Sequence, residues 1–324
     1  MYTEKSLYHR ASGLPCANDF TRENSSVHHE PVLLTEAMDL LAPAKGEAVL
    51  DCTVGLGGHA SAFLGAIGES GRLTGLDADA ENLRYAQTRL SAPNVVLHHG
   101  NFRDLASLAL PPQDVIFADL GLSSPHVDDA SRGFTFRNDA PLDMRFNRDA
   151  GETAAEMLQR MDAEEISAIL HDFGELRQTR RLAQALGASA AQTTGDVRTC
   201  AEAVFGFRAP RVLPQVFQAL RIAVNDEIGS LRALLETAPS LLAPGGRMGV
   251  ISYHSLEDRM VKVAMKALAT PVRSAETGAV TEPARYALRT RKPVVPSEEE
   301  AKRNPRSRSA KFRVLERCLP QTDL

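Results

Sequence analysis

Four stretches of this sequence carry residue types that can do chemistry. The first is Val49-Leu50-Asp51-Cys52-Thr53-Val54-Gly55-Leu56-Gly57-Gly58-His59, an apolar run that ends in an acid and turns through glycines. Such a turn lets a ligand approach the backbone with no Cβ in the way. The helix expected beyond it favours an anion at its N-terminus: a pyrophosphate for a dinucleotide, an amino-acid carboxylate for S-adenosylmethionine. The spacing departs from G-x-G-x-x-G and weighs against the dinucleotide. A tight turn of purely structural purpose is the plainer alternative. The second stretch ends at Asp77, where a carboxylate can accept both ribose hydroxyls of an adenosine, with Asp79 the competing candidate. The third is Gly100-Asn101-Phe102; Phe102 either covers a purine or belongs to the core. The fourth is Asp119-Leu120-Gly121-Leu122-Ser123-Ser124-Pro125-His126.

That fourth stretch suits methyl transfer to an exocyclic amine. The lone pair of such an amine is delocalised into the ring, so the nitrogen is a poor nucleophile. A carboxylate, or a carbonyl before proline, that accepts its N–H hydrogens pushes it toward sp³ geometry. The lone pair then attacks the methyl of a sulfonium in line, with positioning supplying most of the acceleration. No cysteine stands in the stretch, which argues against ring-carbon methylation through a thiolate adduct.

These residues need elements to hold them. Ala48–Cys52, Arg72–Asp77, Asn94–His98 and Asp114–Leu120 read as buried parallel strands, with helices at Ala60–Ile67 and Ala80–Leu90. The alternation predicts an α/β fold with a doubly wound, mostly parallel sheet. From about residue 128 to 216 the strand pattern stops, and Ala154–Met161, Ala163–His171, Glu175–Leu186 and Val197–Phe205 read as successive amphipathic helices. An inserted all-helical domain at 128–216 is the expectation, with the α/β domain formed by 28–127 and 217–324. One long helix is expected across Phe217–Leu242, ended by Pro244-Gly245-Gly246, then a strand at Met248–Tyr253 and a helix at Leu256–Leu268. Ala310–Glu316 alternates like an edge strand.

Composition sets outer bounds. The 324 residues are 43% hydrophobic and 24% charged, enough for a sizeable core, and the absence of Trp makes that core largely aliphatic. Four distant cysteines, Cys16, Cys52, Cys200 and Cys318, suggest neither a disulfide framework nor a metal site. The doublets His28-His29 and His98-His99 would point to opposite faces of a strand, so no metal is expected. No apolar run approaches the roughly 18–20 residues that span a bilayer. A soluble protein of a reducing, cytoplasmic compartment is expected. Residues 1–27 read as a poorly ordered extension. The net charge of −4 excludes a uniformly basic nucleic-acid binder, but Arg285–Arg313 carries ten basic residues against Glu298, Glu299 and Glu300.

Longer motifs narrow the reading. They are His29-Glu30-Pro31-Val32-Leu33-Leu34, the Asp119–His126 stretch, Arg132-Gly133-Phe134-Thr135-Phe136 and Pro141-Leu142-Asp143-Met144-Arg145. Further on come Phe217–Glu227, Ile251–Arg259 and Asn304–Lys311. Together they resemble the bacterial 16S ribosomal RNA cytosine-N4 methyltransferase family over nearly the whole chain. The resemblance implies transfer of a methyl group from S-adenosyl-L-methionine to the N4 of a cytidine in the decoding region of 16S rRNA. It implies cofactor contacts at Gly57, Gly58, His59, Asp77, Phe102, Asp119 and His126. His126 stands where the family usually has Gln, and Gly187–Pro214 departs from the family pattern. Catalytic candidates are Asp119, with Ser123 and Pro125 shaping the acceptor pocket, and His254, which either meets the target nucleotide or is structural. Asp143 and Arg145 either line the pocket of an extruded base or form a salt-bridged hinge. Arg306, Arg308 and Lys311 are candidates for RNA phosphates. The expected partner is 16S rRNA or the small ribosomal subunit, with no membrane; monomer and homodimer both stay open. The rival readings are an amino methyltransferase acting on DNA and a ribosome-assembly or RNA-binding protein without catalysis.

Overall fold

The computed structural model describes residues 31–320. The expected N-terminal extension and the His28-His29 doublet lie outside them. Strands β1 (Ala48–Asp51), β2 (Arg72–Asp77), β3 (Val95–His99), β4 (Gln113–Asp119) and β5 (Leu242–Ser252) run parallel. β6 (Val272–Arg273) and β7 (Val280–Glu282) form a two-stranded sheet of their own. β8 (Tyr286–Leu288) and β9 (Lys311–Arg317) complete the main sheet, in the order β3-β2-β1-β4-β5-β9-β8, with β9 antiparallel to both neighbours.

Strand periodicity assigns each face its own core. Val115 and Phe117 of β4 join Phe63 and Phe312, while Ile116 and Ala118 join Leu50 and Leu234 on the other side. Helices α1 (Leu34–Leu41), α2 (Gly58–Ile67) and α3 (Ala80–Arg89) contribute to the first cluster.

After β4 the chain enters α4 (Ser124–Asp128), then α5 (Ala154–Arg160), α6 (Ala163–Asp172), α7 (Thr179–Ser189), α8 (Thr194–Phe205) and α9 (Ala209–Asn225). Helices α5 to α9 build a third apolar cluster around Leu170, Leu182, Val197, Leu213 and Phe217. Capping boxes at Thr153/Glu156, Asp162/Glu165 and Thr193/Asp196 start α5, α6 and α8 by satisfying otherwise orphaned N–H groups. Position 216/217, where the sequence pattern switches, lies within α9. α10 (Glu227–Leu241) and α11 (Ser255–Leu268) then cover the second face of the sheet through Leu231, Leu234, Val261 and Met265.

Three expectations change. The single helix expected over Phe217–Leu242 is two, because Asp226 takes a left-handed conformation (φ 43°) and turns the chain between α9 and α10. The helix expected from Glu175 starts at Thr179, since Glu175 also has positive φ (51°). β9 is not an edge: β8 pairs along its outer side, Val314 and Leu315 are both fully buried, and Arg313 is held by Asp258 at 2.8 Å.

Candidate active site

The carboxyl ends of β1, β2 and β4 converge where the strand order reverses, and a cleft of about 600 Å³ opens there. Open α/β sheets bind ligands at such a crevice, and the volume suits a small molecule. The glycine turn forms one wall. Gly58 lines the cleft, and a Cβ on it would lie 2.5 Å from Pro31 Cγ. Gly57 is not among the lining residues; it caps α2 at φ 80°, and a Cβ there would press Leu90 Cδ1 at 3.3 Å. Its task is to turn the backbone. Leu56 lines the cleft as well.

Asp77 ties the turn to β2. Its Oδ2 accepts from Gly55 N–H at 2.7 Å and its Oδ1 from Asp79 N–H at 2.8 Å. A carboxylate accepts about four hydrogen bonds, so capacity remains for a ribose hydroxyl. Desolvation pushes the Asp77 carboxyl above its ordinary value against those two donors. Asp79 is the structural member of the pair. It caps α3 through Glu81 N–H (2.8 Å), and its Oδ2 meets His126 Nε2 (2.8 Å) and Arg132 Nη1 (2.7 Å). Although Asp79 is buried, its carboxyl stays far below the usual carboxylate range, because the His126 and Arg132 bonds outweigh desolvation.

His126 has protein partners on both ring nitrogens. Its ring lines the cleft, but Nδ1 accepts from Ser123 N–H (3.3 Å) and Nε2–H faces Asp79. Phe134 and Phe146 flank it at 5.0 and 5.1 Å. It braces the loop from within and spends both nitrogens on the protein. Ser123 lines the cleft, and its hydroxyl donates to Asn82 Oδ1 at 3.2 Å. Pro125 is not among the lining residues; it sits in the first turn of α4, and its carbonyl accepts from Asp129 N–H at 3.0 Å. The proline pre-sets the helix, and Ser124, whose carbonyl precedes it, lines the cleft.

Asp119 is held on several sides. Its N–H donates to Thr53 Oγ1 at 2.6 Å, its Oδ1 accepts from Gly121 N–H at 3.0 Å, and it accepts from the Tyr253 hydroxyl. Burial raises the Tyr253 phenol well above its ordinary value, with the Asp119 charge adding to the effect, so the donor keeps its proton. His59 Nε2 donates to the Val32 carbonyl at 3.0 Å, and its Nδ1 lies 4.0 Å from Asp119 Oδ2. Phe102 lines the cleft and also packs against the core cluster that holds Leu231 and Leu234. Cys52 reaches the wall, but burial pushes its thiol far up and leaves no thiolate to attack a ring.

A second cavity of about 250 Å³ adjoins the first and shares Leu122, Arg221 and Tyr253 with it. Phe134, Phe136 and Phe217 give it apolar walls, and Gln218 and His254 give it polar ones. His254 thus lies away from the glycine turn. It caps α11, with Nε2 3.0 Å from Glu257 Oε1. Glu227, His254 and Glu257 bring potential ligand atoms within 4.8 Å of one another, but Arg221 already engages both Glu227 oxygens at 2.7 and 2.8 Å.

The remaining candidates have intramolecular partners. Asp143 and Arg145 pair with each other at 2.7 Å and line neither cavity. Arg306 reaches the cleft but binds Ser124 Oγ and Asp128 at 2.7 Å each, and Lys311 pairs with Asp258 at 3.1 Å. Arg308 donates to the Ala301 carbonyl at 3.3 Å. Tyr253, Arg221, Asn225 and Glu227 were not singled out from sequence. The signal was their place in the Phe217–Glu227 and Ile251–Arg259 motifs; the Asp226 break brings three of them to the cleft.

A glycine turn after β1, acids closing β2 and β4, and a reversed strand beside β5 define a Rossmann-like fold of the methyltransferase class. The sequence matches the MraW methylase family over residues 26–318, and the chain belongs to that family. Relatives named ribosomal RNA small subunit methyltransferase H include one from Thermomicrobium roseum, 43% identical over 90% of this chain and 94% of its own. One from Heliobacterium mobile is 42% identical over 90% and 99%, and one from Acidobacterium capsulatum is 41% identical over 89% and 98%.

Proposed function

We propose that this chain transfers a methyl group from S-adenosyl-L-methionine to the N4 of a cytidine in the decoding region of 16S rRNA, acting in the cytoplasm on the small subunit or its RNA. The observation that carries the reading is Asp119, an acid at the cleft wall held by Gly121 and Tyr253 and sharing that cleft with the glycine turn and Asp77. The names of the relatives supply the substrate class.

The residues fit the cofactor. The open approach at Gly55, the unspent acceptor capacity of Asp77 and the ring of Phe102 match an amino-acid carboxylate, a ribose and an adenine. When bound, S-adenosylmethionine supplies an electrophilic methyl on a sulfonium. Asp119 accepts an N–H of the target amine and turns its lone pair toward that methyl. Tyr253 and Gly121 fix the carboxylate so that it need not reorganise. The second cavity, with its phenylalanine walls, receives the extruded base, and the helical residues 128–216 contact the surrounding RNA. The proton leaves to water after transfer.

Asp119→Ala should lower methyl transfer by about 100-fold or more, on the scale of losing one positioned catalytic group. Its thermal unfolding should stay near wild type. Full transfer by the variant removes Asp119 from the centre of the reaction.

A further inference from the structure

One exposed feature is left unused by the cleft. Phe207 is 93% exposed, the highest value among the exposed large apolar side chains of the described residues. It sits in a short turn, Gly206–Arg208, between α8 and α9. Gly206 has φ 55°, and across it Phe205 faces the core at 8% exposure while Phe207 faces solvent. Burying a Phe is worth about 1.5–3 kcal/mol, and this one contributes none of that to the fold.

The surroundings of Phe207 are basic. Arg208 and Arg211 are exposed. Between Glu202 and Asp226 the chain has three arginines, Arg208, Arg211 and Arg221, and no acid, although the whole chain carries −4. Along α9, Arg211, Pro214, Gln218, Arg221 and Asn225 recur at steps of three and four, which puts them on one face. Pro214, Gln218 and Arg221 line the second cavity, and Arg221 and Asn225 line the cofactor cleft. At 1.5 Å per residue, the face covers about 15 Å from Arg211 to Arg221.

We infer that this face of α9 is a track for single-stranded RNA flanking the target nucleotide, an assignment that rests on the RNA-methylating reading above. Phe207 is the stacking platform for a flanking base, and Arg208 and Arg211 contact its phosphates. Charge decides the partner: an aromatic ring flanked by guanidinium groups on an acid-free segment complements bases and a polyanion. Continuity of the helix face with the cavity gives the strand its course toward the site.

The test uses the full chain and a short fluorescein-labelled single-stranded RNA, titrated by anisotropy over a range of salt. Phe207→Ala should weaken binding roughly 5- to 100-fold, the span measured for loss of one base–aromatic stack, and Phe207→Trp should retain it. The double variant Arg208→Ala/Arg211→Ala should lower the slope of log K against log salt by about 1.4, roughly 0.7 per phosphate contact on a single strand. S-adenosylmethionine affinity and thermal unfolding should not move, because the three side chains are exposed. Wild-type affinity and salt slope in all variants, or no RNA binding by wild type, overturns the track and leaves Phe207 to a protein partner. Binding through Phe207 without methyl transfer to rRNA leaves the track standing and sinks the reaction reading; transfer with Phe207→Ala binding as wild type sinks the track alone.

Discussion

Asp77 holds Gly55 through its Oδ2 and keeps capacity for a ribose. Asp77→Ala should therefore weaken S-adenosylmethionine binding about 10- to 100-fold, the worth of hydrogen bonds to a charged group, as read by calorimetric titration. Asp79→Ala should instead act on the fold. The sequence left these two acids as alternatives because both follow one strand at nearly one spacing. What separates them is three-dimensional: His126 and Arg132, 47 and 53 residues away, converge on Asp79. The same distance effect hid the bonds of His126 to Asp79 and Ser123, which the sequence offered only as a ligand contact. Asp119 was legible because an acid ending a buried strand before Gly and Ser is a strong local signal. Its partner Tyr253 was not, since it lies on the far side of the inserted helices.

At the scale of elements, the β–α alternation was readable from apolar runs ended by acids and glycines, and the helical segment from its 3.6-residue period. The break at Asp226 was not, because a non-glycine residue in the left-handed region carries no compositional mark. That break turns Asn225 inward, where its Nδ2 donates to the Met144 carbonyl at 2.7 Å and its Oδ1 accepts from Phe146 N–H at 2.8 Å. Arg132 makes the companion tie. It is almost fully buried and joins Asp79, the cap of α3, to the carbonyls of Arg145 and Phe146 at 2.9 and 3.1 Å. Arg132→Ala leaves the buried Asp79 with His126 as its remaining side-chain partner, which should cost about 1–3 kcal/mol in chemical denaturation. A loss below about 1 kcal/mol would mean that water replaces the guanidinium and that the tie is not structural.

The whole molecule carries an internal acid with a readable signature. Asp51 is fully buried at the end of β1; burial, with Asp119 and Asp77 nearby, pushes its carboxyl up to about 7 against the donated Thr53 N–H. Between the ordinary carboxylate value of about 4 and 7, the folded state holds a proton that the unfolded chain has released, so this group lowers stability as pH rises through that window. Asp79 works with the opposite sign and lower down: its depressed carboxyl contributes stability above about 4 that is lost as pH falls further. Asp51→Asn should therefore raise the melting temperature at pH 8 relative to wild type, with the gain shrinking toward pH 4. A constant offset across that range would show that Asp51 does not titrate there.

The central claim concerns the atom that is methylated. Methyl transfer from labelled S-adenosylmethionine should be measured on unmodified small subunits, naked rRNA and DNA, followed by nucleoside analysis. The account predicts label in N4-methylcytidine of the RNA and none in DNA. Label in a ring-carbon product or in DNA, or cofactor binding with no transfer to any of the three, would contradict it.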